Sequence, residues 1–422
     1  MARLAARPRS VAPPRPARVV IDARPIQEPE RSPLTADYLE HLLYAFAAEP
    51  LDGEEFVILS RSLRPDPADE LEGAGLPVVA RRRLPPTSRV FRSAGLTLDS
   101  FLLRGAELGA AGGPSGALFH TAGGAVPLAS RLPVVATLLD MAPWELPGTY
   151  AASPAARFGH RLRARVLRDA ARVIVCSRAT AESARRRLHL PADRLAVVPL
   201  AVDEAFVSAG RAVESAAATR ERLSLPPRYI VFAGRYDARK DMRTLFQALA
   251  LVGARANGAD AEAASPALVV ALPGANGGED GLVRAAAAAS GVTKMVSLVM
   301  VDDARRRAAV VGGADAFVYP CLSEATALPA LEALALGVPV IGSRAGALPE
   351  IVGSAGIVVE PRDPNRLAAA IEAIWSGGAL AEQLRRQARK RAEASTRTWS
   401  DVARETREVY AGALGDGQPR QP

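Results

Sequence analysis

The chain has 422 residues, 49% hydrophobic and 23% charged, which supplies the cores of two or three domains and excludes a wholly disordered protein. Its 53 lysines and arginines against 45 acidic residues leave a net charge of +8, which favours anionic partners such as sugar nucleotides, phosphates or an acidic membrane surface. Two cysteines, Cys176 and Cys321, exclude a disulfide framework, no cluster has zinc-ligand spacing, and the arginines lack the interleaved aromatics of a nucleic-acid surface.

Met1 to Arg18 alternates arginine, alanine and proline without an apolar core, so residues 1–16 are expected to be a disordered basic tail rather than a secretory signal. Val19-Val20-Ile21 reads as a buried strand, and Leu39, Leu42, Leu43 and Phe46 follow at helical spacing. Further strands are expected at Phe56–Leu59, Val134–Leu139 and Val173–Val175, the last followed by a helix over Ala179–Leu188. The longest charge-free stretch, Leu108–Ser130, is broken by glycine, proline and serine and cannot span a membrane. The pattern restarts at Tyr229–Phe232, with a helix presenting Met242, Leu245, Phe246 and Leu249. Strands at Leu268–Leu272, Met295–Val301, Ala316–Tyr319 and Val338–Ile341 complete it. Strands that alternate with helices pair in parallel, because a parallel crossover needs a covering helix.

Between the halves, residues 206–227 are rich in Ala, Ser and Arg, end in Pro226-Pro227 and read as a linker. The fold expected is α/β: two doubly wound Rossmann-like domains facing across a cleft. Such sheets bind ligands beyond the carboxyl ends of their strands.

Several stretches, in order, carry a resemblance. Val173-Ile174-Val175-Cys176-Ser177 and Val198-Pro199-Leu200-Ala201-Val202-Asp203 precede the linker. Phe232-Ala233-Gly234-Arg235-Tyr236-Asp237-Ala238-Arg239-Lys240-Asp241 opens the second half. Pro320-Cys321-Leu322-Ser323-Glu324-Ala325-Thr326-Ala327-Leu328-Pro329-Ala330-Leu331-Glu332-Ala333 is the most specific run, followed by Gly337-Val338-Pro339-Val340-Ile341 and Leu348-Pro349-Glu350-Ile351. The chain resembles retaining glycosyltransferases of the GT-B fold, specifically glycosyltransferase family 4, over roughly residues 17 to 412. The resemblance implies an N-terminal acceptor-side domain over 17–205 and a nucleotide-sugar-binding domain over 228–395. It further implies a crossing helix over 396–414 before a tail at 415–422.

The same resemblance implies roles. Arg235 and Lys240 follow the first strand of the second domain, where two cations would neutralise a diphosphate leaving group. Lys240 is one of three lysines, with Lys294 and Lys390, in an arginine-rich chain. Arg239 is expected to be structural or solvated. Glu324 would lie near the donor sugar, and Glu332, one turn into a helix that Pro329 opens, would accept from ribose hydroxyls. Gly234, Ala325, Thr326, Ala327 and Leu328 would border the phosphate, and Val301 the base. The residues alone show only two carboxylates bracketing a helix N-terminus and a basic loop. Asp140 and His120 are acceptor-side candidates, although a lone histidine is more often a satisfied structural residue.

The sequence also departs from the family. Leu139 replaces a histidine, Val299 a glycine near the base, and Ala325, Thr326 and Ala327 replace glycines flanking an aromatic residue. The stretch Ser32–Tyr38 lacks the glycines common before the first helix. The expected reaction is metal-independent retaining hexosyl transfer from a nucleotide-diphosphate sugar, without a bound cofactor, to a glycan or lipid-linked acceptor in a cytoplasmic protein. The alternative is a weakened or inactive homologue that binds a nucleotide, a glycan or a partner. A third reading, a phosphorylase or epimerase on the same architecture, lacks a persuasive Schiff-base lysine. Finally, Arg157, Arg161, Arg165, Arg168 and Arg172 read as one helix with most of them on one face, as either a patch for anionic lipid or a solvated face.

Overall fold

Apolar runs too short for helices became strands, and each is separated from the next by enough chain to cross over its own sheet. A computed structural model describes residues 17–85, 117–122, 127, 130–255, 265–274 and 278–415. The expected tails at 1–16 and beyond Gly415 and most of the stretch 108–130 lie outside these residues.

The first sheet has seven parallel strands: β1 (Arg18–Asp22), β2 (Glu55–Arg61), β3 (Val78–Leu84), β4 (Ala117–Ala122), β5 (Val134–Leu138), β6 (Arg172–Val175) and β7 (Leu195–Val197). Their order is β3-β2-β1-β4-β5-β6-β7, with Val19 opposite Phe56 on one side and Leu118 on the other. The second sheet has six: β8 (Ile230–Ala233), β9 (Leu268–Pro273), β10 (Val296–Val301), β11 (Ala316–Tyr319), β12 (Val340–Ser343) and β13 (Gly356–Val359). Their order is β10-β9-β8-β11-β12-β13. Central strands are apolar on both faces because helices cover both. Val19, Val20 and Ile21 are fully buried, each contributing roughly 1.5–3 kcal/mol relative to exposure. In both sheets the strand order reverses beside the first strand, so a ligand crevice forms at the carboxyl ends of β1 and β4 and of β8 and β11.

Residues 206–227 are not an extended linker. They lie mainly in two helices, Glu204–Arg211 and Val213–Arg222, and Phe206 is buried under the Arg307 guanidinium, 4.9 Å from the ring centre. Asp203 caps the first of these, accepting from Ala205 N at 3.0 Å. The last helix, Trp399–Gly415, returns to the first domain. There Arg407 makes a buried ion pair with Glu54 at 2.7 Å and donates to the Glu49 carbonyl. Arg397 reaches the Pro199 carbonyl at 2.6 Å.

Candidate functional site

The site forms where β8 and β11 end. Lys240 closes a short 3-10 turn, Ala238–Lys240, that Asp237 caps through Arg239 N. The turn aims the Lys240 ammonium back over the sheet. It donates to Glu324 Oε2 at 2.7 Å and to the Tyr319 hydroxyl, and lies 4.2 Å from the centre of the Tyr319 ring. Tyr319 in turn donates to Glu324 Oε2 at 3.0 Å. The other carboxylate oxygen, Oε1, accepts from Thr326 N at 3.3 Å, Thr326 Oγ1 at 3.3 Å and Ala327 N at 3.1 Å. Burial by itself raises the Glu324 pKa. The Lys240 ammonium, the Arg239 guanidinium and the Ala327 N–H together outweigh burial and hold the carboxyl at about 2.

The backbone makes room for this arrangement. Ala327, the N-cap of helix Leu328–Ala335, sits at φ +50°, where a Cβ costs roughly 1–2 kcal/mol. Gly346 packs against Glu324, whose carbonyl would lie 1.9 Å from any Cβ placed there, and Ala347 N donates to that carbonyl at 2.8 Å. Gly346 is also at φ +49°, so only glycine serves. Gly234, at φ +141°, turns the chain at the end of β8.

The structure redistributes the other expected residues. Arg235 does not join Lys240: its Nε donates to Glu279 at 2.9 Å and its NH1 to the Glu30 carbonyl of the first domain at 2.8 Å. Glu279 is held in turn because its second oxygen accepts from Tyr236 N. Arg239, expected to be structural or solvated, pairs with Asp140 across the cleft at 2.8 Å and contributes to the Glu324 pKa. Glu332 is buried against Arg307 at 2.6 Å, yet burial dominates and pushes its carboxyl up to about 7, with Asp37 adding to the rise. Leu328 and Glu332 border a cavity of about 110 Å³ shared with Asp37, His41 and Trp399. Val301 points into the second core.

His120 is not on the acceptor side of the cleft. It is fully buried in β4, with Nε2 hydrogen-bonded to Thr137 at 2.8 Å and Nδ1 to Tyr410 at 2.7 Å. Burial lowers its pKa to about 3, so it stays neutral and structural. Asp140 does face the cleft, beyond the end of β5.

The two domains touch along the line of the site. The Ala325 carbonyl accepts from Thr180 Oγ1 at 2.7 Å, and Ser323 donates to Glu145 at 2.6 Å. Tyr150 donates to Asp237, and Arg178 pairs with Glu350 at 3.3 Å. Arg239, Tyr319 and Arg307 were not anticipated as site residues. Tyr319 carried a signal, a polar hydroxyl at the last position of an apolar strand, and Arg239 stood in the basic loop beside Lys240.

Residues 216–391 match the family described as Glycosyl transferases group 1, and residues 35–201 match the Glycosyl transferase 4-like domain. With its two facing Rossmann-like sheets, the chain belongs to the GT-B glycosyltransferases of group 1. It is similar to D-inositol 3-phosphate glycosyltransferase of Streptomyces griseus, 31% identical over 241 residues, 54% of this chain and 48% of that protein. It is also similar to glycogen synthase of Mycobacterium tuberculosis, 40% identical over 115 residues, 26% of this chain and 28% of that one. The chain thus aligns with about half or less of these relatives' lengths. Among solved structures, sucrose-phosphate synthase of Thermosynechococcus elongatus shares the fold with a TM-score of 0.67 at 21% identity, covering 93% of this chain and 98% of that one. Anabaena HepE, solved with UDP and glucose, gives a TM-score of 0.63 at 14% identity over 92% of this chain and 97% of that one.

Proposed function

We propose that the protein is a retaining, metal-independent glycosyltransferase that moves a hexosyl group from a nucleotide-diphosphate sugar to an acceptor hydroxyl in glycan assembly. The observation that carries this reading is the buried Lys240–Glu324 pair at the tips of β8 and β11, beside the N-terminus of helix Leu328–Ala335. There the Lys240 ammonium stabilises the diphosphate as the bond from the anomeric carbon to its oxygen breaks. Arg235, on the same strand tip, adds a second positive charge on leaving Glu279. Glu324 holds sugar hydroxyls, and Glu332 holds the ribose. The acceptor hydroxyl attacks from the face the diphosphate leaves and gives its proton to a departing phosphate oxygen, with no covalent enzyme intermediate. Structural neighbours solved with UDP and UDP-glucose support the donor class.

The test is incubation with UDP-, GDP- and ADP-linked glucose and mannose, followed by NMR of released or transferred sugar. Consumption of one donor with retained anomeric configuration is expected; inversion would sink the mechanism. A second reading, a nucleotide- or glycan-binding homologue without turnover, is favoured by Leu139 and by the buried His120, which leave no histidine at these positions to face an acceptor. Nucleoside-diphosphate binding without turnover on any donor would support it.

No helix among the described residues is long and apolar enough to cross a membrane. We place the protein in the cytoplasm, at the surface of an anionic membrane, through helix Pro154–Asp169. There Phe158, 62% exposed, stands beside exposed Arg157, Arg161 and Arg165. Co-sedimentation with phosphatidylglycerol vesicles, lost in Phe158→Ser with Arg161→Glu, is expected; equal sedimentation of the variant would refute this placement.

A further inference from the structure

Arg239 is held between carboxylates from both domains. Its guanidinium lies 2.8 Å from Asp140, with the Asp237 carboxylate 3.9 Å from its Nε, and Glu324 is near enough to stabilise its charge. Burial alone would weaken that charge, and these carboxylates more than restore it. The buried Nε makes no hydrogen bond. Lys240 is engaged by Glu324 and Tyr319. Arg239 and Lys240 therefore face three carboxylates, with Arg163 near enough to Asp140 to interact with it, at the place where a diphosphate, with at least two negative charges, would have to enter.

The three carboxylates are not equivalent. Asp237 sits two residues from Arg239 and caps its turn, and Glu324 is fixed by the Thr326 and Ala327 amides. Both move with the second domain. Asp140 belongs to the first domain, beyond the end of β5, where its Oδ1 also accepts from Ala142 N at 2.9 Å. Its side chain is 39% exposed and can be released to water at little cost. Separation of the two domains removes one negative charge from Arg239 and leaves the other groups in place.

We propose that Arg239 is a third donor-phosphate cation, and that Asp140 is its resting counter-ion, exchanged for the diphosphate when a nucleotide sugar binds. The exchange rests on the donor site described above. It gives the Asp140–Arg239 pair two roles. Without donor it holds the cleft shut; with donor it frees the Asp140 carboxylate at the acceptor side while the guanidinium moves onto phosphate. Arginine suits the second role, since its planar fork matches phosphate oxygens in pairs.

The test is calorimetric titration of UDP, GDP and ADP, and of the matching monophosphates, into the full chain and its Asp140→Asn and Arg239→Met variants. Thermal unfolding confirms that each variant folds. If the exchange occurs, Asp140→Asn removes the competitor and binds the preferred diphosphate about two- to fivefold tighter, the range expected from a partly exposed ion pair. Arg239→Met binds it more weakly, and the monophosphate changes less in both variants. A pair that only ties the domains together predicts otherwise: Asp140→Asn leaves diphosphate affinity unchanged or weakened, and that result overturns the exchange alone. Failure of the wild-type protein to bind any of the three diphosphates overturns both the exchange and the donor site.

Discussion

Replacing Lys240 by alanine strands a carboxylate that has almost no access to water. The side chains of Lys240 and Glu324 are 8% and 6% exposed, and removing one partner of such a pair costs roughly 3–5 kcal/mol. The depressed Glu324 pKa gives a figure of the same order. Glu324 is held at about 2 against an ordinary 4.5, and at 1.36 kcal/mol per unit its charged state is favoured on folding by about 3 kcal/mol, shared among Lys240, Arg239 and the loop amides. At roughly 2–4 °C per kcal/mol for a domain of this size, the melting temperature of Lys240→Ala should fall by roughly 6–20 °C. The double variant Lys240→Met, Glu324→Gln should recover most of that loss, because a neutral pair leaves no charge unpaired. The pH dependence has a definite sign. With the folded pKa depressed, the stability from Glu324 is complete above about 4.5 and is lost as pH falls towards about 2. In Lys240→Ala burial is opposed only by Arg239 and the loop amides, so the Glu324 pKa rises and the gap to wild type narrows on acidification from pH 6 to 4. Melts followed by circular dichroism across this range decide the matter. Equal melting temperatures for the single and double variants, or a gap that ignores pH, would refute the reasoning.

Ala327→Gly relieves the left-handed backbone and should stabilise the protein by about 1 kcal/mol in urea unfolding; a loss would show that Ala327 carries no strain. Gly346→Ala drives a Cβ into the Glu324 carbonyl and should cost more than about 3 kcal/mol or abolish soluble expression. Glu332 binds its proton more tightly folded than unfolded, so its contribution is present in acid and declines as pH rises from about 4.5 through about 7. Glu332→Gln should therefore gain stability relative to wild type between pH 5 and pH 8, measured by denaturant midpoints at each.

Much of the fold was legible because its signals were local. Ala316–Tyr319 has the observed bounds, and several other apolar runs, such as Val173–Val175, shifted by only a residue or two. The strand Val78–Leu84 went unseen because its second half, Arg81-Arg82-Arg83, belongs to an exposed sheet edge without an apolar run. The interdomain stretch misled in the opposite direction. Its alanines and arginines read as a linker, yet they are good helix formers, and the buried Phe206, Thr219 and Leu225 anchor them. In the site, the family resemblance assigned Lys240 and Glu324 to one place, and they meet across 84 residues. It could not show which arginine turns toward them. That choice depends on Glu279 and Asp140, one on a later helix and one on the other domain, and neither is visible from the loop's own sequence. His120 illustrates the same limit, since its partner Tyr410 arrives from the chain's last helix.

The central claim is that Lys240 and Glu324 frame a nucleotide-diphosphate sugar site. Saturation-transfer NMR with UDP-, GDP- and ADP-glucose addresses it directly, on wild type and on the folded double variant Lys240→Met, Glu324→Gln. Magnetisation transfer to both the ribose and hexose protons of one donor, abolished in the variant, is the predicted result. Undiminished transfer in the variant, or none from any donor in wild type, would contradict it.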